Sequence, residues 1–229
     1  MKKITTYIMF VMFMATTPLF ANDIYVTQSG ASLTLDVLQD GENNTIGNST
    51  TASASTGATT SLNIDQVGDS NVIKYQINGA TYTGVINLAG NSNDVDLNCD
   101  SGNSNSSCGS VNAVINFTGS SNDIDLDIGE TAAATGADVD IVGQSGSDSN
   151  TVAATIDGTS AILTITVNGD TNNYLIDIDG NGDVNGHTLI HTHTGGIADV
   201  DITQSGVNDN IITLTTSGDN ANIDIIQRD

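Results

Sequence analysis

Short segments in which apolar and polar residues alternate recur along the chain from residue 24 onward. Examples are LTLDV at 33–37, VIKYQI at 72–77, DIDLDI at 123–128, AILTITV at 161–167 and NIDII at 222–226. Because successive side chains of a β-strand point to opposite faces, this alternation predicts strands with one dry face and one wet face.

A glycine follows almost every alternating segment. The usual spacing between these glycines is about 11 residues, which leaves room for one strand and a tight turn. Two such steps make a coil of about 22 residues, so sixteen steps predict eight coils. Four longer steps predict turns enlarged into loops, with the sequences GNSTTASASTGATT, NCDSGNSNSSCGS, GETAAATGAD and DVNGHTLIHTHTGG.

The predicted fold class is all-β, a two-sided β-solenoid of about eight coils of about 22 residues. A coil with one strand on each side can form hydrogen bonds only with the coils above and below it. The alternative is a β-sandwich, whose short strands also follow one another at short, regular spacings. Sandwiches do not repeat the same turn residues at the same offset, and they usually bury more aromatic residues than this chain contains.

Amide side chains occupy fixed offsets from the glycines. Gln lies two residues before the glycine in several copies, and Asn lies three or four residues after it. Along the alternation, Asn71 shares a face with Ile73, Tyr75 and Ile77, so these amides are predicted to point inward and bond to equivalent amides in neighbouring coils. Turn chemistry is the alternative for Asn, because Asn beside Gly favours tight turns. The candidates for a stacking ladder are Gln28, Gln39, Asn44, Gln66, Asn71, Asn93, Asn122, Gln144, Asn150, Asn172, Gln204 and Asn210.

This constellation resembles the curlin repeat of curli-type functional amyloid subunits. In that family each repeat is defined by a Gln, a Gly two residues later and an Asn five residues after the Gln. QDGENN, with Gln39 and Asn44, and QVGDSN, with Gln66 and Asn71, match that part of the pattern. The resemblance implies an atypical or distant member of the family whose coils stack into a cross-β fibre. It also implies two partners besides further copies of the chain, a nucleator subunit and an outer-membrane secretion apparatus.

Residues 1–21 have the layout of a cleavable secretory signal, with Lys2 and Lys3 before an apolar run that breaks at Pro18. The predicted organisation is therefore a signal peptide at 1–21 and a solenoid repeat domain at 22–229. The mature domain is expected to cross the inner membrane and to reach an extracellular fibre at the cell surface. Removing the signal takes the net charge from −23 to −25. Clustered cations that could bind phosphate are lacking, so nucleic acid is not expected as a partner, and neither is stable insertion into a membrane.

The functional prediction is a secreted structural subunit that self-assembles into fibres for adhesion, aggregation and biofilm matrix. Repeat-like sequence begins at Ile24 and continues through NIDIIQ to residue 227, so the sequence predicts rod ends without a cap. Asp at outward positions is expected to keep rods apart until salt, divalent cations or low pH weakens the repulsion. These positions include Asp94, Asp96, Asp123, Asp125 and Asp127. The alternative function is a soluble monomeric solenoid that acts as a surface-binding or calcium-binding adhesin module.

Three smaller features have other interpretations. DIDGNGDVNG offers Asp177, Asp179 and Asp183 as weak candidates for a metal, although Thr188 stands where an EF-hand has its last acidic ligand. His187, His191 and His193 are predicted to lie in one exposed loop. Cys99 and Cys108 are predicted to form a disulfide across a Ser- and Asn-rich loop. The residues contain no nucleophile with a plausible base and no nucleotide-binding loop, so neither an enzyme nor a cofactor is predicted.

Overall fold

The computed structural model describes residues 23–47, 52–56, 58–99, 108–129, 136–144, 146–158, 160–180, 187–205 and 211–228. The predicted signal peptide, the weak metal candidate Asp183 and the ladder candidate Asn210 lie outside these residues. Within the described ranges all regular structure is β-strand.

The strands form two parallel sheets, called sheet A and sheet B, and consecutive parts of the chain alternate between them. Sheet A contains β1 (Asp23–Ile24), β2 (Thr27–Ser29), β4 (Thr45–Ile46), β5 (Ser53–Thr56), β7 (Ser70–Ile77), β9 (Ser92–Cys99), β11 (Ser121–Ile128), β13 (Asn150–Gly158), β15 (Thr171–Gly180), β17 (Ile197–Ser205) and β19 (Asn220–Arg228). Sheet B contains β3 (Ser32–Asp40), β6 (Thr59–Val67), β8 (Thr81–Ala89), β10 (Ser110–Thr118), β12 (Gly136–Gly143), β14 (Ala161–Asn168), β16 (Thr188–Thr194) and β18 (Ile211–Ser217).

Within each sheet, strands of successive turns pair in parallel. Residues at equivalent positions of successive turns therefore form columns, for example Ile73, Val95 and Ile124. This arrangement is a β-solenoid, and the predicted fold class is confirmed.

The coils of the solenoid are longer and less uniform than the glycine spacing predicts. The eight strands of sheet B span about seven turns of about 26 residues. The coil from Ser70 to its register partner Ser92 is short, whereas the coil from Thr81 to its register partner Ser110 is clearly longer. From β6 onward strand length stays nearly constant, so the difference lies in the connections, which can grow without disturbing the paired strands.

The core lies between the two sheets and follows the predicted alternation. In β7 the buried residues are Asn71, Ile73, Tyr75 and Ile77, the face inferred from the sequence. In β10 they are Val111, Ala113, Ile115 and Phe117. Since each core residue packs on its equivalents in adjacent coils, branched aliphatic side chains fill most of a thin interior. The aromatic side chains of Tyr75, Tyr82, Phe117 and Tyr174 are buried among them.

The histidine segment is a strand, so the prediction of an exposed loop is wrong. Thr188–Thr194 forms β16, and His191 and His193 occupy inward positions at most 1% exposed. His187, directly before the strand, is buried as well. His191 lies in the column between Ile165 and Leu214. The period-two pattern is present in LIHTHT, but two of its inward positions carry imidazoles in place of aliphatic side chains.

Candidate functional site

The principal site is a column of asparagines inside the rod, at the point where each sheet A strand begins. It contains Asn44, Asn71, Asn93, Asn122, Asn150 and Asn172. Each of these side chains is at most 3% exposed. A buried primary amide needs partners for two donors and an oxygen, so a column of amides requires a complete hydrogen-bond network.

The six amides form one continuous chain of hydrogen bonds along the rod axis. The Nδ2 atom of each Asn donates to the Oδ1 atom of the next, and the five N–O distances lie between 2.5 and 3.3 Å. All the side-chain dipoles therefore point in the same direction, which lets neighbouring bonds polarise one another. We call this chain the asparagine ladder.

The remaining amide hydrogen is taken up by the backbone of the turns. Asn122 Nδ2 donates to Gly119 O at 3.0 Å, and Asn172 Nδ2 donates to Gly169 O at 3.0 Å, in each case three residues upstream. Asn93 Nδ2 lies 3.2 Å from Thr118 O of the adjacent turn. The ladder thus connects strand, turn and neighbouring coil, and both ladder and turn chemistry explain the Asn positions.

Glycines in the tight turns that precede the ladder asparagines also form a column, because each tight turn touches the equivalent turn of the adjacent coil. A Cβ atom on Gly90 would be 2.0 Å from Gly68 O, and one on Gly68 would be 1.9 Å from Gly41 O. Real Cβ atoms do not approach backbone oxygens so closely, so a side chain at either position forces the turns apart. This close approach explains the glycines on this side of the coil, which are about every second glycine of the series.

The ladder ends at a buried histidine cluster in the C-terminal half. The next two positions of the column are Ala198 and Ala221. Asn172 Nδ2 lies 3.2 Å from His193 Nδ1, and the Tyr174 hydroxyl lies 3.1 Å from the same nitrogen. The rings of Tyr174 and His191 meet edge to face with their centroids 4.2 Å apart. His193 therefore takes over the hydrogen-bonding role that a further Asn would have had.

The predicted glutamines do not form one ladder. Gln39 and Gln66 are stacked in sheet B, where Gln66 Nε2 donates to Gln39 Oε1 at 2.6 Å, but Leu88 occupies the next position. Gln28 and Gln204 lie in sheet A, on the opposite side of the core, and donate to the backbone at Ser32 O and His187 O. The spacing from glycine is the same in both sheets, so it could not distinguish them.

Gln144 is exposed, so its assignment to an inward ladder is wrong. The inward position belongs to Gly143, which pairs with Phe117 on one side and Val167 on the other. A Cβ atom on Gly143 would be 2.7 Å from the Phe117 ring, so the ring fills the space that an inward side chain at this level would need. Gln144 follows one position later and therefore points away from the core.

Asn150 reaches the ladder although one extra residue separates it from its glycine. Ser147 stands where the other turns of this column have glycine, because its backbone oxygen accepts from Asn150 Nδ2 three residues later, as Gly119 O does from Asn122 Nδ2. The extra residue therefore lies before Ser147, and Asn150 keeps the offset from its acceptor that Asn122 has.

A second, shorter polar ladder, made of residues that were not among the predicted stacking positions, lies on the outer face of sheet B. Asn87 Nδ2 donates to Asp65 Oδ1 at 2.6 Å, and Asn116 Nδ2 donates to Asn87 Oδ1 at 2.8 Å. All three residues stand three positions before a turn glycine. Aligning the sequence on glycine at that offset would have revealed them, but outward polar residues are expected on any wet face.

The outer face of sheet A carries stacked carboxylates. Asp94 and Asp96 are in register with Asp123 and Asp125. Lys74 Nζ lies 2.7 Å from Asp94 Oδ1 and 3.6 Å from Asp96 Oδ2. Partial burial, and then repulsion from Asp96 and Asp123, raise the pKa of Asp125. Acid or a counter-ion is therefore expected to relieve repulsion within the rod as well as between rods.

The cysteines and the candidate metal residues occupy separate places. Cys99 and Cys108 form a disulfide and are both buried. Asp177 and Asp179 point outward from β15, and Ser205 Oγ donates to Asp179 Oδ1 at 2.5 Å. Burial, followed by repulsion from Asp179, raises the pKa of Asp177. Over the described ranges, His, Cys, Asp and Glu form no group of three that could hold a metal ion.

Mild acid is expected to destabilise the C-terminal half of the rod through His191. Burial, and then the proximity of His193, lower the pKa of His191 from 6.5 to about 4. Burial also lowers the pKa of His187 and His193. The unfolded chain therefore binds protons first, and stability that is complete above about pH 6.5 is lost as the pH falls toward 4, by up to about 3 kcal/mol from His191.

The measurement is urea denaturation of the unchanged chain and of His191→Leu at pH 7 and at pH 5. His191→Leu places an aliphatic side chain between Ile165 and Leu214, so it should lose less stability on acidification than the unchanged chain. Asp125 and Asp177 have raised pKa values, so their protonation stabilises the folded chain as the pH falls. This contribution is the same in both chains and cancels when their losses of stability are compared. Equal losses in the two chains would contradict the role given to His191.

Among the described residues no helix is long and apolar enough to cross a membrane. Comparisons of the chain with protein-family models, with curated proteins and with solved structures found no match.

Proposed function

We propose that this chain is a secreted, self-assembling structural protein, an atypical curlin-like subunit whose rods join end to end into a cross-β fibre for adhesion, aggregation and biofilm matrix. Within the described ranges β19 pairs only with β17, and all its residues are exposed, although Ile223 and Ile225 continue inward columns of the core. Among the described strands, β18 likewise pairs only with β16. An edge of this kind is a template for another strand.

The observation that carries the proposal is that the two ends of the described rod continue the same columns. At the C-terminal end the inward positions of sheet A are Ile223, Ile225 and Gln227, and at the N-terminal end the equivalent positions are Ile24, Val26 and Gln28. In sheet B, Ile212 and Leu214 correspond to Leu35 and Val37. A second copy can therefore extend these five columns with the same class of side chain.

The distribution of charge supports the same contact. Carboxylates stack on carboxylates in the middle of sheet A, as at Asp94 and Asp123. The outward residues of β18 are instead uncharged, with Thr213, Thr215 and Ser217 following Ile211. On sheet B this end of the rod therefore presents no carboxylate to an incoming copy, and on sheet A the acidic residue of β19 is Asp224, which favours end-to-end over lateral association.

The test is assembly of residues 22–229 diluted from denaturant into neutral buffer, followed by thioflavin fluorescence, electron microscopy and fibre diffraction. We expect growth that preformed fibres can seed, with reflections near ~4.7 and ~10 Å. A folded chain that stays monomeric contradicts the proposal. That outcome favours the alternative of a surface-binding monomer, for which the in-register hydroxyls of Thr166, Thr192 and Thr215 on sheet B offer a regular array.

A matched pair of variants tests whether growth uses the ends. Ile225→Lys places a charge in an inward column of the terminal strand, where the side chain is 42% exposed in the single chain. Ile162→Lys places the same charge on the side of sheet B, at a residue that is 43% exposed. We expect Ile225→Lys to slow seeded elongation at least tenfold and Ile162→Lys to leave it nearly unchanged. Equal rates would contradict end-to-end growth.

A further inference from the structure

The two sheets hold unequal numbers of strand levels, and this determines how copies can stack. Sheet A has nine successive levels, because β1 with β2 and β4 with β5 each share one level, whereas sheet B has eight strands. The chain alternates between the sheets, so a strand of sheet B must follow β19 if the winding continues. The first strand of sheet B in the next copy is β3.

Continuous winding therefore brings β3 of the second copy onto β18 and leaves β19 to pair with β4 and β5. In the single chain that position is occupied by β1 and β2, through Asp23↔Thr45 and Thr27↔Ala54. If β1 and β2 stay in place and pair with β19, one strand is missing from sheet B between β18 and the incoming β3. The backbone groups along that gap would have no strand partner, which is costly in a dry interface.

We propose that residues 23–29 form a displaceable strap, and that β19 of a second copy replaces it during fibre growth. This inference rests on the proposed function. The replacement keeps the inward chemistry, because Ile223 takes the position of Ile24 and Ile225 that of Val26. It also brings no carboxylate onto another, since Asn222 would lie beside Thr45 and Arg228 beside Thr56.

The strap is held by fewer strand contacts than β19 can offer. It pairs through a two-residue strand and a three-residue strand separated by Tyr25 and Val26. By contrast β19 pairs with β17 over nine consecutive residues. The acceptor level consists of two separate strands, β4 and β5, yet the continuous strand β7 pairs with both of them on the other side. A continuous β19 can therefore pair with the same two strands and bury more surface than the strap.

Intermolecular cross-linking distinguishes strap replacement from simple stacking. In the replaced arrangement Ile226 of one copy lies beside Ala54 of the next, whereas in simple stacking it lies beside Thr27. Fibres are grown from equal mixtures of Ile226→Cys with Ala54→Cys, and of Ile226→Cys with Thr27→Cys, and are then oxidised mildly. We expect covalent dimers on non-reducing gels from the first mixture and few from the second.

Dimers from the second mixture alone overturn the strap and leave the fibre proposal intact, whereas the absence of any fibre overturns both. A locked chain gives a second measurement. The double variant Thr27→Cys/Ala54→Cys, once oxidised, ties the strap to β5 and should slow seeded elongation at least tenfold. Ala153→Cys/Leu175→Cys is the control, because it makes an equivalent link in the middle of sheet A. Elongation of both at the same rate would overturn the inference.

Discussion

Replacing Asn93 with aspartate is expected to lower the free energy of unfolding by about 3 kcal/mol or more at pH 7. The Asn93 amide is 2% exposed, and its Nδ2 atom donates to Asn122 Oδ1 and to Thr118 O. A carboxylate would present an oxygen to these two oxygens and would also bury a charge. Asn71 Nδ2 could still donate to it, so one favourable contact of the ladder remains.

The measurement is urea denaturation at a protein concentration below that of assembly, with Asn168→Asp as the control. Asn168 is exposed at the end of β14 beside Thr194, with no carboxylate as its register partner there, so the same chemical change should alter stability by no more than about 0.5 kcal/mol. The loss in free energy of unfolding caused by Asn93→Asp should also increase as the pH rises above about 4, because burial disfavours the ionised carboxylate. If the two variants are equally stable, the ladder does not stabilise the fold.

Gly90→Ala is expected to cost about 3 kcal/mol, although the change adds only one methyl group. The new Cβ atom would be 2.0 Å from Gly68 O and 2.9 Å from Asn71 Nδ2. A backbone oxygen cannot move aside as a flexible side chain can, so relief requires that adjacent turns separate and that the ladder stretches. Gly90 does not have a positive φ, so the expected effect is steric and does not depend on backbone strain.

Gly136→Ala is the matched control, because the nearest atom to its Cβ would be Ser160 O at 3.9 Å. It should be neutral or slightly stabilising, since alanine restricts the unfolded chain more than glycine does. Thermal and urea denaturation of the two variants measure the difference directly. A loss for Gly90→Ala no greater than that for Gly136→Ala would show that the turns tolerate separation.

The solenoid and the face of each strand were largely predictable, because alternation is a local property. In β7, for example, the positions of Asn71 and Ile73 relative to solvent follow from period two alone. The histidine strand β16 shows the limit of this reasoning. Its alternation is intact, but imidazoles at inward positions favour a loop when only local residues are considered. Burial of a neutral imidazole depends on neighbours such as Tyr174, which lies 19 residues from His193.

The sequence did not determine which residues of different coils lie in the same column. Gln39 and Gln204 have the same offset from a glycine but lie in different sheets. Gln144 points outward because Gly143, one residue earlier, holds the inward position beside Phe117, while Asn150 enters the ladder because Ser147 takes the place of glycine in its turn. These outcomes depend on residues in other turns, so glycine spacing within one repeat could not predict them.

The residue pattern alone was enough to establish short strands with one apolar face, separated by glycine turns and accompanied by amides. The reason is that side-chain alternation and turn preference act over a few neighbouring residues. The choice of amides that stack, the burial of the histidines and the way the strap covers one end followed from tertiary packing. Those features are determined by the register between strands a full turn apart in the chain, where each turn must fit the one beneath it.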